Sequence, residues 1–155
     1  MPAARPDAPA PGGVLPGPTT LVSRCPGCGA VLAAVPGLEA RHPGAAPGCT
    51  RLFDVTVRGL RDEAPSDVRA AGLLALATAA YDAQHAADGT EPVRELRAAL
   101  GAGSRRPVRG SRPVEWRTTI ADVAADLDVV DLPALVRAWA EAVSEDWAGA
   151  GPDDV

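Results

Sequence analysis

The sequence predicts a mainly α-helical small domain with an N-terminal Cys-rich zinc-knuckle loop and room for one short hairpin. Three observations carry that prediction. Cys25-Pro26-Gly27-Cys28-Gly29 places two thiols at C-x2-C spacing in a tight-turn context. Beyond residue 50, Ala- and Leu-rich stretches show helical periodicity with recognisable caps. Large apolar residues are scarce: against 32 Ala stand 16 Val, 14 Leu, three Trp and one each of Ile, Met, Phe and Tyr. A core built from so few large side chains is modest, and a structural metal would add to it.

The elements follow in order. Residues 1–20, rich in Pro, Ala and Gly, read as a disordered arm with little to bury. Residues 21–148 form one domain. Residues 21–50 form a Cys- and Gly-rich loop region with one short strand near Val31–Val35. The next stretch reads as a helix over 51–62, with Leu52, Val55, Thr56 and Leu60 on one face and Thr50 as its cap. Ser66, after Pro65, is placed to cap a long helix over about 67–87, ended by Asp88-Gly89. Leu74, Thr78, Tyr81 and His85 share one face of it, with Leu73, Ala77, Ala80 and Gln84 beside them.

A further helix covers about 91–100, with Pro92 in its first turn. Residues 101–114 read as a mobile Arg-rich loop. Thr119-Ile120-Ala121-Asp122 is a capping box with Asp in place of Glu. It opens a short helix that turns Ile120, Val123, Ala124 and Leu127 inward. Asp131 caps a helix over 132–148, whose stripe of Leu132, Leu135, Val136, Trp139, Val143 and Trp147 faces the core. Glu141, Glu145 and Asp146 fall mostly off that stripe, on a solvated surface. Residues 149–155 read as a disordered tail.

Composition excludes several classes. No apolar run approaches the roughly 20 residues of a membrane helix. The N-terminal stretch has no hydrophobic segment and is broken repeatedly by Pro, so it is not a secretory signal. Three Cys is an odd number, against a closed disulfide framework, and a reducing cytoplasm is the expected compartment. The net charge is −5, spread as −1 over residues 1–100, +4 over 101–119 and −8 over 120–155. An acidic chain argues against nucleic acid as the partner. Arg105, Arg106, Arg109, Arg112 and Arg117 therefore read as a solvated loop, with Trp116 the one aromatic among them. The lack of Lys is a compositional bias and carries no functional meaning.

The chemistry lies in three Cys and two His. Cys49 follows Cys28 by 21 residues, with His42 between them, giving C-x2-C-x13-H-x6-C. Three sulfurs and an imidazole suit Zn²⁺. His42 and Cys49 are spaced more widely than the second pair of a zinc finger, so His85 is a rival fourth ligand. It faces inward near the end of the long helix, while Asp82 lies about 100° away around it. The candidate metal ligands are thus Cys25, Cys28, His42, Cys49 and His85. A thioredoxin-like redox pair would need a helix beginning between the two cysteines, and Gly29 and Pro36 leave too little room for it.

The segments CPGCGA at 25–30, APGC at 46–49, AYDAQH at 80–85, TIADVAA at 119–125 and ALVRAWAEAV with a following Trp at 134–147 stand in one order. In that order they resemble a family of small bacterial proteins of unknown function. Its pattern runs CPGCGA, H-x-Y, SPGCW, DAYAVQHPG and VADV…LV-x-x-WA. The shared residues are Cys25, Cys28, His42, Cys49, Tyr81, Gln84 and His85. The chain departs at Gly44, Thr50, Ala79 and Ala86, where the pattern has Tyr, Trp, Asp and Pro. Leu74 and Glu95 stand where the family has two further His. The resemblance implies that the five sulfur and imidazole ligands belong to one pattern, and it implies no activity. The expected function is that of a zinc-binding protein whose metal is structural and which acts through a protein partner of unknown identity and oligomeric state. The alternative is a metalloenzyme with an open zinc site on Cys25, Cys28 and Cys49, using His85 or Tyr81 for acid–base chemistry.

Overall fold

A computed structural model describes residues 21–101 and 106–149. The arm at 1–20, the tail beyond Gly149 and the part of the Arg-rich loop at 102–105 lie outside the described residues. A hairpin of β1 (Val22–Arg24) and β2 (Val31–Ala33) precedes six helices. These are α1 (Pro47–Thr56), α2 (Arg58–Glu63), α3 (Val68–His85), α4 (Thr90–Leu100), α5 (Ile120–Asp126) and α6 (Leu132–Ala148). The mainly helical class and the short hairpin are therefore as predicted. No helix of the described residues is long and apolar enough to cross a membrane.

The strands are antiparallel, with Arg24 opposite Val31. The hairpin turn is the C-x2-C segment itself. Cys25 donates its N–H to Ala30 O at 2.8 Å and accepts from Gly29 N–H at 2.9 Å. Gly29 sits at φ +77°, which closes the turn at little cost only for glycine.

The predicted helix over 51–62 is two helices and starts earlier. Pro47 occupies the first turn of α1, where its fixed φ favours helix and its missing N–H leaves nothing unsatisfied. Ala46 precedes it without a side-chain cap. Thr50 therefore does not cap the helix but lies inside it. The break falls at Val57, with φ −96° and ψ 6°. It follows the β-branched run Val55-Thr56-Val57, and the Thr56 hydroxyl donates back to Leu52 O at 2.7 Å, a bond that bends helices. Val57 points fully into the core.

Asp67, not Ser66, caps α3, accepting from Arg69 N at 2.8 Å and Ala70 N at 3.4 Å. The ionised carboxylate is the stronger acceptor, and the Ser66 hydroxyl instead donates to Glu63 O at the end of α2. The helix ends at His85, two residues short of the expectation. Trp147 Nε1 caps Ala83 O at 2.7 Å and Arg112 Nε caps Ala86 O at 3.0 Å, so carbonyls orphaned by the helix end are satisfied from elsewhere in the chain. The Thr119–Asp122 capping box and the Asp131 cap form as predicted. Leu127 is the exception on α5: it lies beyond the last turn and is exposed. Asp146 also departs from the solvated surface predicted for it, since Arg117 covers its carboxylate at 2.6 Å.

The helix α3 is the spine, packed against α2, α4 and α6. Ala70, Ala77, Ala80 and Ala83 are buried along it, and their small side chains let the neighbouring helices approach closely. Rings supply the volume: Phe53, Tyr81, Trp139 and Trp147 are all fully buried. Each polar handle finds a partner. Buried Gln84 accepts from Trp139 Nε1 at 3.1 Å and donates to Thr118 O at 2.8 Å. Replacing Gln84 with Leu leaves an indole N–H and a carbonyl unpaired in the core. At about 1–3 kcal/mol for each unmet group, Gln84→Leu should lose about 2–6 kcal/mol in urea unfolding, against about 1 kcal/mol for loss of the Thr119 cap in Thr119→Ala.

Candidate metal centre

Three separate elements carry four side chains to one point. Cys25 follows β1 and Cys28 lies in the hairpin turn. Cys49 is in the first turn of α1, and His85 is the last residue of α3. All four are buried, and their donor atoms lie within 4.8 Å of one another. Cys28 Sγ is 3.8 Å from Cys49 Sγ, and Cys49 Sγ is 3.4 Å from His85 Nε2. The three cysteines are free of disulfides. This group could hold a metal ion.

The imidazole is fixed by its other nitrogen. His85 Nδ1 lies 2.7 Å from Tyr81 O, one turn back along the helix. A carbonyl only accepts, so Nδ1 carries the proton and Nε2 faces the sulfurs. The Tyr81 ring covers His85 with centroids 4.1 Å apart. Its hydroxyl turns to Thr50 Oγ1 at 3.3 Å, and Thr50 Oγ1 also accepts from Arg41 N at 3.0 Å. Burial pushes the Tyr81 phenol well above its usual range, so it stays neutral.

The sulfurs form one electrostatic unit. Bonds from Cys28 and Cys49 pull the Cys25 thiol far below its usual range. Bonds with Cys25 and Cys28, with burial added, push Cys49 far above it. Cys25 therefore gives up its proton easily and Cys49 holds its own hard. Burial alone would lower His85, but its bonds to Cys25 and Cys28 and to the Tyr81 carbonyl outweigh that and push it up to about 9. A cation at the centre would favour loss of the Cys49 proton as well. Two further features favour negative sulfur. Ala46 N–H points at Cys25 Sγ at 3.4 Å, and Cys49 sits at the positive end of α1.

Backbone closeness holds the parts together. A Cβ on Gly27 would lie 2.5 Å from both Gly44 O and His85 Cδ2, so only glycine lets the turn reach the histidine.

His42 lies outside this group. Its Nδ1 accepts from Gly44 N at 3.0 Å, and its ring centroid is 6.2 Å from that of His85. Burial lowers its pKa, leaving it neutral. Asp82 is half-buried, its carboxyl raised by burial, and it does not join the group. Several contributors went unseen in the sequence. Thr50 and the Ala46 N–H are two; the others lie in the Arg-rich segment. Arg112 Nη1 donates to Pro26 O at 2.9 Å and Trp116 Nε1 to Gly27 O at 2.9 Å. The lone aromatic within the Arg run was the one visible signal.

Residues 91–148 match the model of a family of unknown function (DUF5946). The resemblance to a family of unknown function holds over that stretch. It takes in nearly all of α4, the segment carrying Arg112 and Trp116, α5 and α6, and leaves all four clustered side chains outside. No curated protein and no solved structure matches the chain.

A methyl group at position 27 should push His85 away from the sulfurs. Gly27→Ala is expected to lose about 1–3 kcal/mol, the usual cost of overpacking. At Gly59, in α2, a Cβ meets nothing within 4 Å. Gly59→Ala should gain about 0.5–1 kcal/mol from helix propensity. Thermal melts of the two variants should therefore move in opposite directions.

Proposed function

We propose that Cys25, Cys28, Cys49 and His85 bind one zinc ion with a structural role, and that the protein acts by binding a protein partner, not by catalysis. The observation that carries this is the spacing of the donors. Ligands at about 2.3 Å (sulfur) and about 2.0–2.1 Å (nitrogen) in a tetrahedron stand about 3.8 Å apart for two sulfurs and about 3.5–3.6 Å apart for sulfur and nitrogen. Cys28 Sγ and Cys49 Sγ stand 3.8 Å apart, Cys49 Sγ and His85 Nε2 3.4 Å apart, and all four donors lie within 4.8 Å of one another. Three thiolates and one imidazole suit zinc over cations that favour oxygen. A reducing cytoplasm would keep such thiols available.

Four buried protein ligands make a closed site, the usual form of a structural centre. An open catalytic position would need His85 withdrawn, yet its Nε2 is aimed at the sulfurs and its Nδ1 is anchored to Tyr81 O. Tyr81, the other candidate acid–base group, turns its hydroxyl to Thr50. In the helical domain the ion would tie the hairpin and α1 to the end of α3, adding stability that the Ala-rich core supplies sparingly.

The test is metal analysis of the purified full chain grown with ample zinc. One zinc per chain is expected. Cys49→Ala and His85→Ala should lose it and melt lower, whereas His42→Ala should keep full stoichiometry. A zinc-free wild-type protein would falsify the metal assignment. Retention by His85→Ala together with loss by His42→Ala would move the fourth ligand to His42.

A further inference from the structure

We propose that Arg112 and Trp116 are positioning residues of the metal centre: together they clamp the Cys25–Cys28 turn against the end of α3 and so set how tightly the metal is held. The inference rests on the metal assignment above and extends it to side chains that touch no ligand atom.

The clamp is built from directed bonds. Arg112 Nη1 donates to Pro26 O at 2.9 Å, between the two turn cysteines. The Nε of the same guanidinium donates to Ala86 O at 3.0 Å, one residue after His85. One rigid planar fork thus spans the turn that carries two sulfurs and the residue that follows the imidazole. Trp116 Nε1 donates to Gly27 O at 2.9 Å, the next carbonyl of the same turn. Behind it, the Trp116 ring packs edge-on against Trp147 with centroids 6.0 Å apart, and Trp147 Nε1 holds Ala83 O at 2.7 Å. Both routes start on the knuckle and end within two residues of His85.

The segment that carries the clamp is itself fixed. Arg109 N–H donates to Trp147 O at 2.9 Å. Pro113 is buried. Arg117 pairs with Asp146 and Glu145, and Thr118 O accepts from Gln84. The clamp therefore presses from the α6 side of the domain. A hairpin of two three-residue strands has little rigidity of its own. A tetrahedral site tolerates displacements of only tenths of an ångström, so outer partners that fix ligand-bearing backbone weigh on affinity. Lys at 112 would supply a point charge without the fork.

The variants are Arg112→Lys and Trp116→Phe, which keep charge and ring while removing the guanidinium fork and the indole N–H. Zinc affinity is measured on the full chain by competition with a chromogenic chelator, and zinc release by transfer to excess chelator. Each variant should bind zinc about tenfold more weakly or worse, within the range seen for outer-shell partners. It should also release the ion correspondingly faster. Asp131→Ala serves as the comparison: it removes the cap at the end of α6 opposite Trp147 and should leave affinity within twofold of wild type. Variants that melt lower but hold zinc as tightly as wild type overturn the clamp and leave the metal assignment standing. A wild-type chain without zinc overturns both. If a variant fails to fold, hydrogen exchange of the wild-type protein decides. Removal of zinc should raise exchange at 112–118 more than at 132–140, and an equal rise in both segments overturns the clamp.

Discussion

The structure depends on the burial of three sulfurs and an imidazole at one point. Their donor atoms lie within 4.8 Å of one another, on buried residues. Bringing several ionisable groups into a low-dielectric site is costly unless an opposite charge compensates them. The site's own chemistry shows the tension. Cys25 gives up its proton readily, Cys49 holds its proton hard, and His85 is drawn toward the imidazolium form. A divalent cation would resolve all three demands at once, because every sulfur could then be a thiolate and Nε2 a neutral donor. The elements around the site are arranged to make that convergence possible. The hairpin turns on the cysteine pair, α1 starts early enough to put Cys49 in its first turn, and α3 stops on His85.

Away from the site the fold is assembled from small side chains with a few large rings between them. Buried alanines on α3 face α4 and α6, which bring Val93, Leu96, Trp139 and Trp147 to the same core. Such interfaces specify register weakly, since one Ala resembles the next. Directed hydrogen bonds supply what shape does not. Gln84 reads Trp139 and Thr118, and Trp147 reads Ala83 O. Each fails if a helix slides by one turn, and each failure strands a buried polar group. The Ala-rich composition thus requires polar keys, and the Trp residues serve as both volume and key.

The sequence was most readable where one local rule decided the outcome. Thr119 with Asp122, and Asp131 ahead of an apolar stripe, fixed the starts of α5 and α6. It was least readable where a distant partner decided. Pro47-Gly48 looks like a turn, yet Pro is at home in a first helical turn, and Gly48 is needed because its Cα lies against Ala33 O. The end of α3 is set by Trp147 and Arg112, 64 and 26 residues from the carbonyls they cap, so no local signal at Asp88-Gly89 could mark it. The three cysteines and two histidines were legible as candidate ligands from their chemistry. The choice between His42 and His85 was not, because it turns on which imidazole the long helix delivers to the sulfurs. In the structure His42 keeps its Nδ1 on Gly44 N–H instead.

The part of the chain that matches a known family and the part that carries the clustered side chains are different, and they are not independent. Residues 91–148 contribute no sulfur or imidazole to the group. They contribute Arg112 and Trp116, which bind the carbonyls of the cysteine turn, and Trp147, which binds the last turn of the histidine-bearing helix. The C-terminal segment is thus the seat against which the knuckle is pressed. Interactions of this kind are reciprocal: whatever geometry the segment favours in the knuckle, an occupied knuckle favours in the segment. A ligand at the sulfurs would then be felt along residues 106–118 and at the adjacent end of α6, on the outer side of the domain. An event at that surface would in turn be felt at the sulfurs. A group of buried side chains can in this way still have a distant surface that reports its state.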